Sequence, residues 1–143
     1  LAGTGRLLGV DVGSKRIGIA RTDPFRTFAS PVDTFSVSGS FSEIKRQVND
    51  EVPVIGIVVG WPLTPQGVPT NATSLAKAYI QKLEKDHPDI PIYKMDERFS
   101  SKEAGIILVN SGVPKKKRRK KGRLDQAAAA YILQEFLEAN PDI

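Results

Sequence analysis

The stretch VPVIGIVVG, residues 52 to 60, is a continuous apolar run dominated by Val and Ile. Such a run suits a strand buried on both faces, inside a sheet rather than at a wet surface. The rest of the chain is read around it. Ahead of it, RLLGVDVGSKRIGIARTD divides into two strands, residues 6 to 12 and 17 to 22, joined by a turn at Gly13-Ser14-Lys15. Ile17 and Ile19 alternate with Gly18 and Ala20, the pattern of a strand packed closely against its neighbours. Residues 28 to 37, FASPVDTFSV, make a third and weaker strand, in which Pro31 points to an edge or a bulge.

The apolar period then changes. Phe41, Ile44 and Val48 share one face of a helix over 40 to 50, and Leu75, Tyr79 and Leu83 form a stripe on a helix over 71 to 86. Asp86-His87-Pro88 ends that second helix, and His87 reads as a helix-end residue rather than a catalyst. In the loop GWPLTPQGVPT, Pro62, Pro65 and Gly67 fix the path of the chain. IPIYKMDER follows as a strand and SSKEAGIILVNSG as a helix, with Ser100 and Glu103 as a capping box and Gly112 where a C-terminal cap belongs. A last helix covers 124 to 138. The order β-β-β-α-β-α-β-α-α predicts an α/β fold with a mixed five-stranded sheet. Three antiparallel strands precede a parallel βαβ unit with a right-handed crossover, and the helices pack on the sheet. The 143 residues form one domain, 1 to 143.

With 40% hydrophobic and 26% charged residues, the composition is that of a globular protein. No apolar run approaches the ~20 residues that cross a bilayer, and no signal-peptide pattern opens the chain. The expected location is the cytoplasm, or an organelle if a targeting segment precedes Leu1. The absence of cysteine excludes disulfides and thiolate metal sites, and fits a reducing compartment.

The net charge of +5 is unevenly distributed. Lys115, Lys116, Lys117, Arg118, Arg119, Lys120, Lys121 and Arg123 supply eight of the 21 basic residues, and the remaining 13 face 16 acids. The body of the protein is thus mildly acidic, and one concentrated basic segment, 113 to 123, seeks a polyanion such as nucleic acid. With like charges repelling and no apolar face to bury, this segment is expected to be disordered without a ligand. A localisation signal or a solvated loop is the plainer reading.

Three acids stand at element ends. Asp11 lies on the first strand, Glu97 just past the IYKMD strand, and Asp125 opens the last helix. If strands one and four are sheet neighbours their ends converge, and a helix start docked there adds the third carboxylate. Converging carboxylates repel unless a cation lies between them, and hard oxygen donors without His or Cys favour Mg²⁺ or Mn²⁺ over zinc. A pair of such ions ~3.5–4 Å apart activates water and steadies the leaving oxygen in phosphodiester hydrolysis. Each acid also has an ordinary reading: a turn start for Asp11, a surface ion pair with Arg98 for Glu97, a dipole-favouring first-turn acid for Asp125. Asp96 competes with Glu97, since neighbouring strand residues face opposite sides.

LLGVDVGSKRIGIARTD, VVGWPLTPQG, MDERFSSKEA and LDQAAAAYILQEFL, in this order over residues 6 to 137, resemble the four motif blocks of the YqgF/RuvX family. That family consists of bacterial RNase H-like proteins described as Holliday junction resolvases and as nucleases maturing the 5′ end of 16S ribosomal RNA. The resemblance implies that Asp11, Glu97 and Asp125 are the catalytic and metal-binding acids, and it is what selects Glu97 over Asp96. The implied partner is nucleic acid, a precursor rRNA or branched DNA, met by a monomer or a homodimer. Lys15, Arg16, Arg98 and the basic segment would hold its phosphates. Trp61 stands where the family usually has a smaller aliphatic, and either packs at the strand end or stacks on an unpaired base. DVGSKRIGIA also resembles the first phosphate loop of sugar kinases and actin-like ATPases, but those need two such lobes and this chain has length for one. The rival reading is a non-catalytic nucleic-acid-binding protein in ribosome maturation or transcription.

Overall fold

The Val/Ile run becomes an inner strand of a five-stranded sheet. The computed structural model describes residues 3–96 and 121–143, the first five of the latter by backbone alone. Its elements are β1 (Arg6–Val12), β2 (Arg16–Thr22), β3 (Ala29–Ser36), α1 (Val37–Val48), β4 (Val54–Trp61), α2 (Asn71–Asp86), β5 (Ile92–Asp96) and α3 (Lys121–Ala139). The sheet order is β3-β2-β1-β4-β5. The first three strands form the expected antiparallel meander, β1 pairs in parallel with β4, and β4 with β5. The helix expected over 100 to 112, with its caps Ser100, Glu103 and Gly112, lies outside the described residues.

Strand alternation divides the core between two faces. Leu8, Val10, Ile17, Ile19, Ile57 and Val59 pack with Ile44 of α1 and with Tyr79, Ile80 and Leu83 of α2. Leu7, Ala20 and Val58 face the other way, onto Ala129, Ile132, Leu133 and Phe136 of α3. The four alanines 127 to 130 are all buried, and their small side chains let α3 lie close on the sheet. The contact is tightest at Gly9, where a Cβ would sit 2.9 Å from both the Ala129 carbonyl oxygen and Leu133 Cβ. A larger residue there would push the helix off β1.

Two helix starts and one apolar stripe differ from the sequence reading. α1 begins at Val37, not 40, because Ser36 caps it by accepting the Gly39 amide at 3.0 Å. Its first turn, VSGS, carries too little apolar period to announce a helix. α3 begins at Lys121, inside the basic run, so Asp125 lies in its second turn and does not open it. Positive charge at a helix start opposes the macrodipole, which favours a later start. Lys, Arg and Leu are nonetheless good helix formers, and the packed body of α3 propagates through them. On α2 the buried residues are Thr73, Ala76, Tyr79, Ile80 and Leu83. Leu75, expected on the same stripe, stands 41% exposed at its border.

β3 is a sheet edge, and the register slips opposite Pro31, so the proline marks both an edge and a bulge. The Ala29 and Thr34 amides are taken up by Gln134 Oε1 (3.0 Å) and Asp33 Oδ1 (2.8 Å), which blunts this edge against pairing with another chain.

Chain direction decides which element ends meet. β3 runs parallel to β1, both being antiparallel to β2, and α1 leaves directly from its end. Gln134 of α3 lies by Ala29 at the start of β3, and Gln126 by Thr34 near its end, with Thr34 Oγ1 donating to Gln126 Oε1 at 3.4 Å. α3 therefore runs antiparallel to β1. All three described helices begin at the end of the sheet where β1, β4 and β5 finish.

Candidate active site

Asp11 is the next-to-last residue of β1, half-buried and paired across the sheet with Gly18. It shares a face with Leu7 and Gly9, the face covered by α3. From Gly9 to Asp11 the strand advances by ~6.7 Å. From residue 129 back to 125 the antiparallel helix retreats by ~6 Å on the same side. Starting from the Gly9–Ala129 contact, these two steps bring Asp11 and the backbone of residue 125 to the same height at one end of the sheet.

Glu97 lies outside the described residues, but its competitor does not. Asp96 ends β5 opposite Trp61. Tyr93 and Met95 pack on the α3 side, whereas Ile92 packs with the α1–α2 core. Asp96 shares the alternation of Ile92 and Lys94, so it belongs to the face opposite Asp11.

Trp61 is half-buried against the α1–α2 core, and Lys94 Nζ sits 4.2 Å from the centre of its ring. One ring face is thus occupied by a cation, which favours packing over base stacking. His87 caps the C-terminus of α2. It is sixteen residues, ~24 Å, from that helix's start and so lies at the far end of the sheet from Asp11. Gly67, with φ of 82°, makes a turn whose amide donates to the Thr64 carbonyl at 2.8 Å, fixing the loop after β4 as expected.

Lys15 and Arg16 are exposed in the β1–β2 turn, just beyond Asp11. The turn is closed by the Gly13 amide donating to the Arg16 carbonyl at 2.9 Å, and a Cβ on Gly13 would lie 2.6 Å from that oxygen. Lys121 and Arg123 belong to the first turn of α3. Arg98 and Lys115 to Lys120 lie outside the described residues. Among the described residues no group of three or more His, Asp or Glu side chains is gathered for a metal; Asp11 is the one expected ligand whose side chain is described.

Sequence reading missed the convergence of helix starts. α1, α2 and α3 each point an N-terminus at this end, and none has an acid in its first turn. Among the described residues no first-turn acid offsets their positive ends. The signals for two of them were present in the caps Ser36 and Thr70, the latter in a reciprocal capping box with Thr73.

An α/β sheet of this order, with carboxylates at its strand ends, defines a class of fold. Thermus thermophilus RuvC in complex with a Holliday junction substrate superposes with a TM-score of 0.56 over 94% of this chain and 95% of that one, at 12% identity. A second T. thermophilus RuvC structure gives 0.53 over 95% and 96%. The fold is RNase H-like. The family model described as "RuvX: Holliday junction resolvase" matches residues 5–139, and the chain belongs to that family. Proteins from Chlorobium phaeobacteroides (44% identical, 93% of this chain and 92% of that one) and Salinibacter ruber (39%, 96% and 95%) are both named "Putative pre-16S rRNA nuclease". The protein is accordingly a nuclease, a hydrolase acting on nucleic acid. Among the described residues no helix is long and apolar enough to cross a membrane.

Proposed function

We propose that the chain is a single RNase H-like domain that hydrolyses phosphodiester bonds of precursor 16S ribosomal RNA at its 5′ side, in the bacterial cytoplasm, with Asp11, Glu97 and Asp125 holding Mg²⁺ or Mn²⁺. The observation that carries this reading is the antiparallel seat of α3 on β1, which sets residues 11 and 125 level at the end where three helix starts converge. The donor set fits a hard cation. The chain has no Cys, and its one His caps the far end of α2, so oxygen donors alone serve this site. When bound, the metal supplies an activated water and neutralises charge on the leaving oxygen. Asp11, from β1, and Asp125, from α3, hold it from two elements fixed by the Gly9 contact, while Lys15, Arg16, Arg98 and the basic segment hold phosphates on either side. Precursor RNA is preferred as substrate because relatives 36–44% identical carry that name. Junction DNA is the second reading, on the family's description.

Presenting precursor 16S rRNA and a four-way DNA junction side by side to the purified protein tests this directly. RNA cleavage is expected in Mg²⁺ or Mn²⁺ and none in EDTA. Binding without cleavage of either substrate in any metal would establish the rival, a non-catalytic binder.

Asp96→Asn should keep cleavage within about twofold of wild type while Glu97→Gln loses it, because Asp96 belongs to the α1–α2 face of the sheet. Equal losses in two folded variants would reverse the assignment.

A further inference from the structure

The residue after Asp125 on α3 is tied to the sheet at the level of Asp11. Asp11 pairs with Gly18 across β1 and β2, and Gly18 pairs with Thr34 across β2 and β3. The three residues form one rung of the sheet. Paired residues of neighbouring strands point to the same face, here the face under α3. Asp11 and Thr34 are the ends of the rung, two strand spacings or ~10 Å apart, and Gly18 between them has no side chain. Thr34 Oγ1 donates to Gln126 Oε1 at 3.4 Å. Gln126 is half-buried, and the helix beyond it is packed on the sheet through the buried alanines 127 to 130.

We propose that Thr34 and Gln126 are positioning residues for the metal site: their hydrogen bond fixes the rotation of the α3 start, and with it the place of Asp125 relative to Asp11. This rests on the reading of Asp11 and Asp125 as metal ligands. Alanine methyls hold a helix close to a sheet but have no direction, so they resist its turning about its own axis only weakly. A hydrogen bond from a strand residue to a helix side chain has direction and resists that turn. α3 has two such ties to β3, at Gln126 and Gln134. Gln134, accepting the Ala29 amide at 3.0 Å, anchors the helix body at the far end of the strand. Gln126 lies eight residues and ~12 Å away, at the end that bears Asp11, and is the neighbour of Asp125. A turn of ~10° about a helix axis moves an end group ~6 Å from that axis by ~1 Å. Mg²⁺ takes its oxygens at ~2.1 Å in a near-ideal octahedron, so 1 Å is half a bond length. Neither Thr34 nor Gln126 carries charge. Their effect on the metal is therefore geometric, not electrostatic.

Thr34→Val removes the hydroxyl at nearly constant shape, Gln126→Leu removes the amide, and Thr34→Ser keeps the hydroxyl. Calorimetric titration of Mn²⁺ into the full chain, without nucleic acid, reads metal affinity apart from any cleavage. Thr34→Val and Gln126→Leu should each weaken Mn²⁺ binding about tenfold. The double variant should bind no worse than either, because the same bond is lost in all three, and Thr34→Ser should bind as wild type. Unfolding temperatures in EDTA should stay within about 4 °C of wild type. Wild-type Mn²⁺ affinity in both single variants overturns the proposal. So do additive losses in the double variant, which mean two independent effects, and a loss in Thr34→Ser equal to that in Thr34→Val, which assigns the effect to packing. A larger fall in unfolding temperature also overturns it, by giving the bond to the fold. Asp11→Asn separates this role from the reading it rests on. If wild type binds Mn²⁺ no better than Asp11→Asn, the metal site and the role of the pair fall together; if it binds better and the pair variants match it, the role of the pair falls alone.

Discussion

Asp11→Asn, Glu97→Gln and Asp125→Asn should each lower cleavage by at least about a hundredfold while substrate affinity stays near wild type. An amide keeps the shape of the carboxyl but removes the charge that holds a divalent cation, and such a cation stabilises the reaction by several kcal/mol, with ~1.4 kcal/mol per decade of rate. On the proposed reading affinity rests on cations elsewhere, Lys15, Arg16 and the basic segment, so it should survive. A second readout separates this from general damage. Without metal the acids repel one another, and neutralising any one of them relieves the repulsion. The three variants should therefore unfold in EDTA at temperatures equal to or above wild type, and respond less to added Mg²⁺. Wild-type cleavage rates in all three would mean that the acids are misassigned. Loss of cleavage with lowered unfolding temperatures would mean that they serve the fold.

The fold was legible because its strongest signals were local and mutually consistent. The Val/Ile run needed cover on both faces, and it received α2 on one side and α3 on the other. Pro31 pointed to an edge or a bulge because it lacks the amide an inner strand needs, and β3 has both. What stayed hidden depended on neighbours distant in the chain. Leu75 has the spacing of a core residue, and only the rotation of α2 on the sheet shows that Tyr79 and Leu83 are joined in the core by Ala76 and Ile80 while Leu75 stands at the border. The start of α3 was masked because charge composition and helix propensity pulled in opposite directions there. For the site, Asp11 could be singled out from its place at a strand end, but its relation to Asp125 could not. That relation needs the direction of α3, which is set by the seating of Ala129 on Gly9 and by Gln126 and Gln134 on β3. The resemblance selected Glu97 over Asp96, whereas the face of β5, with Tyr93 and Met95 packing towards α3, shows only that Asp96 lies on the side opposite Asp11.

Replacing Lys115 to Lys121 with serines should weaken nucleic-acid binding by orders of magnitude and flatten its dependence on salt. Each phosphate neutralised by a Lys or Arg releases condensed counterions, contributing ~0.7 to the slope of log affinity against log salt on single strands and ~0.9 on duplex. If all seven residues meet phosphates, the slope falls by up to about 5 on single strands and about 6 on duplex. The outcome measures how many do. Lys121 lies in the first turn of α3, four residues before Asp125, so at least this residue belongs to the helix that bears the proposed metal ligand. Such an arrangement answers an electrostatic difficulty. On the proposed reading a cluster of carboxylates would repel the polyanion it must cut, and cations beside it, with three helix starts pointing the same way, would offset that repulsion at short range. Asp125→Asn removes one negative charge and no phosphate contact, so it should leave the slope unchanged while abolishing cleavage. A serine variant with the wild-type slope would mean that the basic run is a localisation signal or a solvated loop. Recruitment would then fall to Lys15, Arg16 and the helix starts, and Lys15→Ser with Arg16→Ser should in that case reduce the slope by about 1.4 on single strands.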